Sequence, residues 1–198
     1  MLNHALCPWL VETFEQLQHA HAEQRLAHGW LIQGAAGIGK TNLALVFATR
    51  LLDDNMAERP AELAAADFLQ GMRVRHEAQN HHPDLHYVFP EPGKHTISVE
   101  QIRDVCETLY LSSYGGSGKV VIIEPAEAMT TSAANALLKT LEEPTPNSYL
   151  LLVTHRAGLL PATVRSRCQK LSVARPQPSE IAQWAGSKSE ESDRVVLA

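Results

Sequence analysis

Residues Gly34 to Thr41 read Gly-Ala-Ala-Gly-Ile-Gly-Lys-Thr and fit the pattern G-x-x-x-x-G-K-[ST] without a mismatch. Each residue type has a chemical reason to be there. Gly34, Gly37 and Gly39, with Ala35, Ala36 and Ile38 between them, let successive backbone N–H groups turn inward around phosphate oxygens. Lys40 brings a cation to the β- and γ-phosphates, and the Thr41 hydroxyl can ligate Mg²⁺. A helix that begins at Thr41 points its positive end at the same anion. At average residue usage, a chance match in a chain of this length occurs on the order of once in a hundred sequences.

A second cluster follows the run Lys119-Val-Val-Ile-Ile123: Glu124, Pro125, Ala126, Glu127. Phosphoryl chemistry on a phosphate loop needs an acid at the end of a nearby strand for the metal. Efficient hydrolysis also needs a group that orients the attacking water. Glu124 suits the metal role, one methylene longer than the more common Asp. Pro125 stands where the second carboxylate would be and offers neither a base nor a water-positioning group. Glu127 reads as an ordinary acid at a helix start, able to compensate only if the chain turned back toward the terminal phosphate. The direct reading is binding of ATP or ADP with Mg²⁺, held by Thr41 and Glu124, without efficient hydrolysis.

These groups need elements to hold them. Pro8 opens a helical pattern with Leu10, Phe14 and Leu17 on one face, closed at Gly29. Trp30–Ile32 reads as a buried strand just before the loop, and Thr41–Leu52 as the helix after it. The spacing predicts a helix over Ala57–Gly71, a turn over Gln79–Asp84 and a strand over Leu85–Phe89. Ser98 and Gln101 form a capping box ahead of a helix with Ile102, Val105 and Leu109 on one face. The β-branched run 119–123 suits a parallel strand covered on both sides. A helix over Ser132–Leu141, a strand over Tyr149–Val153, a helical turn over Leu159–Val164 and a strand over Gln169–Val173 complete the pattern. Strands alternating with helices predict an α/β domain with a mostly parallel sheet flanked by helices over residues 1–173. Residues 174–198 read as the start of a lid domain or a flexible tail.

Composition limits the function classes. The chain has 198 residues, 44% hydrophobic and 20% charged, with a net charge of −5. That excludes a whole-surface basic nucleic-acid binder, though not a local basic patch. The longest apolar run, Leu43 to Ala48, is too short to cross a bilayer, and no membrane partner is expected. The N-terminus MLNHALCPWL lacks the pattern of a secretion signal. Cys7, Cys106 and Cys168 are dispersed and odd in number, which argues against a disulfide framework and for a cytoplasmic protein.

The segment Ala133-Ala-Asn-Ala-Leu-Leu-Lys-Thr-Leu-Glu-Glu-Pro144, with Arg165-Ser-Arg-Cys168, resembles the bacterial clamp-loader AAA+ subunits. Within that group, Glu124-Pro-Ala-Glu-Ala-Met129, His82-Pro-Asp84 and Ile97-Ser-Val-Glu-Gln-Ile-Arg103 resemble the delta-prime branch more than the ATP-hydrolysing tau/gamma branch. The likeness covers roughly residues 1–178. It implies a P-loop AAA+ domain, then a small helical lid and a helical collar. By that reading the chain is the N-terminal part of a longer protein, without the collar. Carried over residue by residue, Gly34–Thr41 is the phosphate loop and Glu124 the metal-binding acid. Thr154 is the polar sensor of the γ-phosphate, and Arg167 the arginine finger that reaches a neighbouring subunit's ATP in trans. The implied partners are the tau/gamma and delta subunits, and through the complex the sliding clamp and primer-template DNA. Trp9, Leu10 and His28–Trp30 are placed on the adenine side.

One departure concerns zinc. Many relatives in this group carry a four-cysteine zinc module after the P-loop helix. Residues 51–84 here have no cysteine and offer only histidines, among them the adjacent His81 and His82, so no structural zinc is expected. Other readings of the same residues are an active AAA+ motor, which would want an acid at position 125, and a nucleotide kinase. A kinase would want an arginine-rich lid, and only His155-Arg156, Arg165 and Arg167 are available. A third is a P-loop-shaped binding module with an unrelated partner.

Overall fold

The computed structural model describes residues 6–52, 83–111, 113 and 118–184. The helix expected over Ala57–Gly71, the first part of the Gln79–Asp84 turn, and residues 185–198 lie outside the described residues. Five strands form one sheet: β1 (Gly29–Gln33), β2 (Leu85–Val88), β3 (Lys119–Ile123), β4 (Ser148–Thr154) and β5 (Gln169–Ser172). Their order is β2-β3-β4-β1-β5, and every pairing is parallel. The helices are α1 (Val11–Ala22), α2 (Lys40–Leu52), α3 (Val99–Tyr110), α4 (Thr131–Glu142) and the short α5 (Ala162–Arg165). Residues 178–184 are also helical.

The strands are apolar throughout because both faces of the sheet are covered. Their side chains alternate between two cores. Trp30, Ile32, Val120, Ile122, Leu151 and Val153 pack with Leu10, Phe14 and Leu17 and with Leu43 and Phe47 of α2. Leu31, Val121, Ile123, Leu150 and Leu152 pack with Ile102, Val105 and Leu109 of α3 and with Leu137 and Leu141 of α4. Phe14 meets Phe47 edge to face, with ring centroids 6.4 Å apart, a favourable aromatic geometry.

The expected capping box forms. Gln101 N–H donates to Ser98 Oγ, and Ser98 N–H donates to Gln101 Oε1. At its other end, the last carbonyls of α3 accept from side chains: Lys119 Nζ donates to the Thr108 carbonyl and the Thr145 hydroxyl to that of Leu109. Such contacts satisfy helix-end acceptors and match the negative end of the helix.

Most element ends fall within a residue or so of the expectation, and three departures matter for the architecture. Gly29 opens β1 and does not close α1, which ends at Ala22. A Cβ at Gly29 would stand 2.8 Å from Leu141 Cδ2, so α4 packs closely over the start of the strand. β2 stops at Val88, because the Phe89 carbonyl accepts from Gln101 Nε2 at 2.9 Å. The helical turn after β4 is split into a 3-10 turn, Ala157–Leu159, and α5.

Candidate nucleotide-phosphate site

The loop 34–39 leaves the carboxyl end of β1 and runs into α2. Gly37 and Gly39 have φ of 79° and 88°, a left-handed backbone that L-residues rarely adopt. Gly34 is needed for a different reason: a Cβ there would lie 2.7 Å from the Val173 carbonyl oxygen. Ile38 anchors the loop in the core at 7% exposure, and the Trp9 indole N–H donates to its carbonyl at 2.9 Å. Lys40 is only 6% exposed, and its Nζ donates to the Ala35 carbonyl at 2.5 Å. Burial pulls its pKa below the ordinary lysine value, against the opposing charges of Glu124 and Glu127.

A cavity of about 460 Å³ lies between this loop and the ends of β3 and β4. Ala36, Gly37, Gly39, Lys40 and Thr41 line one part, and Glu124, Pro125, Val153, Thr154 and His155 the other. The Thr41 hydroxyl donates to Glu124 Oε1, so the two residues assigned to the metal are in direct contact. The Tyr87 hydroxyl donates to Glu124 Oε2. Tyr87 belongs to β2, is 2% exposed, and was not singled out by its sequence context. The only sequence signal is a hydroxyl-bearing side chain at a core-facing position of β2.

Thr154 ends β4 at 1% exposure and stands in register with Gln33, the last residue of β1 before the loop. Its hydroxyl accepts the Arg156 N–H at 3.1 Å. Pro125 is on the cavity wall as expected and presents no carboxylate.

Glu127 departs from the expectation of an ordinary helix-start acid. The 3-10 turn Ala126–Ala128 carries it behind the cavity wall, against His155, where its side chain is 3% exposed. Oε1 accepts the His155 backbone N–H at 3.3 Å and lies 2.9 Å from His155 Nδ1. Burial pushes its carboxyl pKa up. The Thr154 hydroxyl, backbone N–H groups and the His155 ring outweigh that and hold it below the ordinary value. No hydrogen bond of good geometry reaches Oε2 among the described residues.

Arg167 does not line this cavity. Its Nε donates to Glu142 Oε1 at 2.7 Å and its Nη1 to the Thr163 carbonyl at 3.0 Å. The ends of segments 133–144 and 165–168 therefore meet on the surface, away from the chain's own phosphate loop. The residues placed on the adenine side separate. Leu10 is fully buried and Trp30 is 7% exposed, both in the core. The Trp30 indole donates to the Ala27 carbonyl, and His28 Nε2 lies 2.7 Å from the Leu141 carbonyl. Trp9 and Leu10 remain beside the loop: a Cβ at Gly39 would lie 2.9 Å from Leu10 Cδ1, and the Trp9 ring is 5.7 Å from that of Trp184.

For the metal, Thr41 and Glu124 present an alcohol and a carboxylate oxygen side by side, a hard-oxygen set that suits Mg²⁺. Among the described residues, no group of three or more His, Cys, Asp or Glu is placed to hold another ion. No described helix is long and apolar enough to cross a membrane.

A parallel sheet in the order above, with a phosphate loop after β1 and an acid after β3, defines a P-loop domain of the AAA+ class. Solved structures agree on that fold. A gamma-subunit-related protein of DNA polymerase III from Thermotoga maritima is similar with a TM-score of 0.56 at 22% identity, over 83% of this chain and 47% of that one. The RuvB Holliday junction branch migration motor of the same organism gives 0.55 at 18% identity, over 92% and 51%. A family model described as DNA polymerase III, delta subunit, matches residues 10–177. Curated proteins named DNA polymerase III subunit delta' are similar as well. That of Pseudomonas aeruginosa is 38% identical over 89% of this chain and 51% of its own length. That of Escherichia coli is 34% identical over 96% and 55%. The chain belongs to the delta-prime subunit family of DNA polymerase III. It spans about half the length of the curated relatives it matches.

Proposed function

We propose that this chain is the nucleotide-binding part of a clamp-loader delta-prime subunit, and that it binds ATP or ADP with Mg²⁺ but hydrolyses ATP poorly. The contact between Thr41 and Glu124 at the mouth of the glycine loop carries the binding half of this reading. The loop N–H groups and the α2 N-terminus receive phosphate oxygens. Lys40 balances their charge, moving from the Ala35 carbonyl to the phosphates. Thr41 and Glu124 hold the ion, and Tyr87 keeps Glu124 in place. A bound Mg²⁺ supplies charge neutralisation on the β- and γ-phosphates. Thr154 faces the γ-phosphate as a sensor. Pro125, on the same wall, supports the second half: nothing at that position can orient a water.

In the same reading, Arg167 is offered to the ATP site of an adjoining subunit during sliding-clamp loading. The partners are the tau/gamma and delta subunits, with the clamp and primer-template DNA reached through the assembly in the cytoplasm. The exposed position of Arg167, outside its own phosphate cavity, supports a role in trans. The competing reading, an active ATPase or nucleotide kinase, draws on one observation only, the placement of Glu127 against His155 on the cavity wall. Phosphate release by the chain alone and with its partner subunits separates the two: turnover that appears only in the assembly supports the first.

A further inference from the structure

Glu124 is one methylene longer than Asp, so it has one more bond about which its carboxylate can turn. Two hydroxyls grip it. Thr41 donates to Oε1 and Tyr87 to Oε2. The two contacts do different things. An alcohol that gives its proton to an acid keeps its lone pairs for a cation, so Thr41 is still able to take an ion. Tyr87 instead ties the second carboxylate oxygen to a fixed point. The Glu124 N–H donates to the Val88 carbonyl at 2.9 Å, which joins the end of β3 to β2. Tyr87, one residue earlier on β2, is 2% exposed, and its ring lies 5.5 Å from that of Phe89. The core holds that ring, while Glu124 lines the phosphate cavity.

We propose that Tyr87 is a positioning residue whose hold on Glu124 makes the site select Mg²⁺ over Ca²⁺ as the ion that accompanies a bound nucleotide. The inference rests on the phosphate-site reading and deepens it. Selection between these ions turns on the number and flexibility of the oxygen ligands. Mg²⁺ demands a near-ideal octahedron, which a carboxylate held still meets best. Ca²⁺ accepts more oxygens in a looser geometry, often both oxygens of one carboxylate. Glu124 released from Tyr87 is free to turn both oxygens toward an ion, the arrangement that suits Ca²⁺. Partners that orient a metal ligand in this way are worth about 10–100-fold in metal affinity. The hydroxyl of Tyr87 is thus the counterweight to the longer acid: it removes the freedom that the extra methylene adds.

Calorimetric titration of the chain with ATP in excess Mg²⁺, in excess Ca²⁺ and in EDTA tests this in wild type, Tyr87→Phe, Glu124→Asp and the double variant. Tyr87→Phe keeps the ring in its packing, and Glu124 lies on the cavity where water can reach it, so the variant should fold; a thermal melt checks this. The wild type should bind ATP more tightly with Mg²⁺ than with Ca²⁺. Tyr87→Phe should weaken binding with Mg²⁺ by about tenfold or more and with Ca²⁺ far less, so that the Mg²⁺-to-Ca²⁺ ratio falls by about tenfold. The EDTA values are the reference and should not follow that change. The shorter acid of Glu124→Asp should lose its reach to Tyr87, so Tyr87→Phe should add little in that background. Equal loss in all three conditions, or an unchanged ratio, returns Tyr87 to a packing role and leaves the phosphate site standing. No binding of ATP by the wild type in any condition overturns both.

Discussion

Arg167 rests its guanidinium on the carboxylate of Glu142, with Nε at 2.7 Å and Nη2 at 2.5 Å from the same oxygen. The pair is largely exposed, so it contributes little to the fold, about 0–1 kcal/mol. Its value is positional, since α4 holds the arginine at the surface. Arg167→Ala should leave the chain's own nucleotide affinity unchanged and its melting temperature within about 3 °C. In the reconstituted loader it should slow ATP hydrolysis by the adjoining subunit, because a guanidinium stabilises charge on the transferring phosphoryl group. Arg167→Lys should rescue poorly, since a point charge does not reproduce the planar fork. Steady-state ATPase with clamp and DNA, beside a check of assembly, measures this. Unchanged turnover in an intact assembly would leave Arg167 as a surface ion pair.

Lys40 gives binding and stability opposite signs. Its lowered pKa means that the folded chain holds this proton less tightly than the unfolded chain. The charged amine therefore costs stability at neutral pH, and the cost disappears as pH rises from the lowered folded value to the ordinary 10.5. Lys40→Met should raise the melting temperature. The same variant should lose nucleotide affinity by at least about tenfold. Thermal melts and calorimetry on one preparation check both, and a less stable variant that still binds ATP normally would contradict the site.

The isolated chain should release phosphate far more slowly than about 1 s⁻¹, the low end of ordinary enzymes. Pro125 is the reason. Turnover near that value with Mg²⁺ would mean that Glu127 or His155 supplies the missing water-orienting group.

Glu127 should shape the acid stability of the fold. Its carboxyl titrates below the ordinary 4.5, so its contribution is complete above that value and is lost as pH falls through the lowered folded one. Glu127→Gln should be less stable than wild type at about pH 7, with the gap closing toward about pH 3. Urea midpoints at the two pH values decide it, and a gap that does not change with pH would remove the charge from the account.

Zinc should be absent in stoichiometric amount. Burial pushes the Cys168 thiol up to about 11 and raises that of Cys106 as well, and a thiol is a poor ligand beside a thiolate. Metal analysis of protein prepared without chelator, showing one zinc per chain, would overturn this and direct attention to His81 and His82.

Much of this was legible in the sequence because it is local. The phosphate loop is eight consecutive residues, the capping box spans four, and the buried runs of β1, β3 and β4 declare themselves by composition. Their ends fall within a residue or two of the sequence reading, and Gly29 opens β1 where its sequence reads as a helix stop. The contacts that complete the site are of another kind. Thr41 and Glu124 are 83 positions apart, Tyr87 and Glu124 are 37 apart, and Glu127 and His155 are 28 apart. No periodicity links residues at such separations. Parallel strands must be joined by crossovers, so strand ends that are neighbours in space are distant in the chain. The order β2-β3-β4-β1-β5 sets Tyr87 beside Glu124, and Thr154 and His155 beside the loop. The sequence by itself determined that a phosphate could be held. Only the tertiary structure decided that a buried acid stands behind a histidine at its edge, and that Arg167 faces away from it.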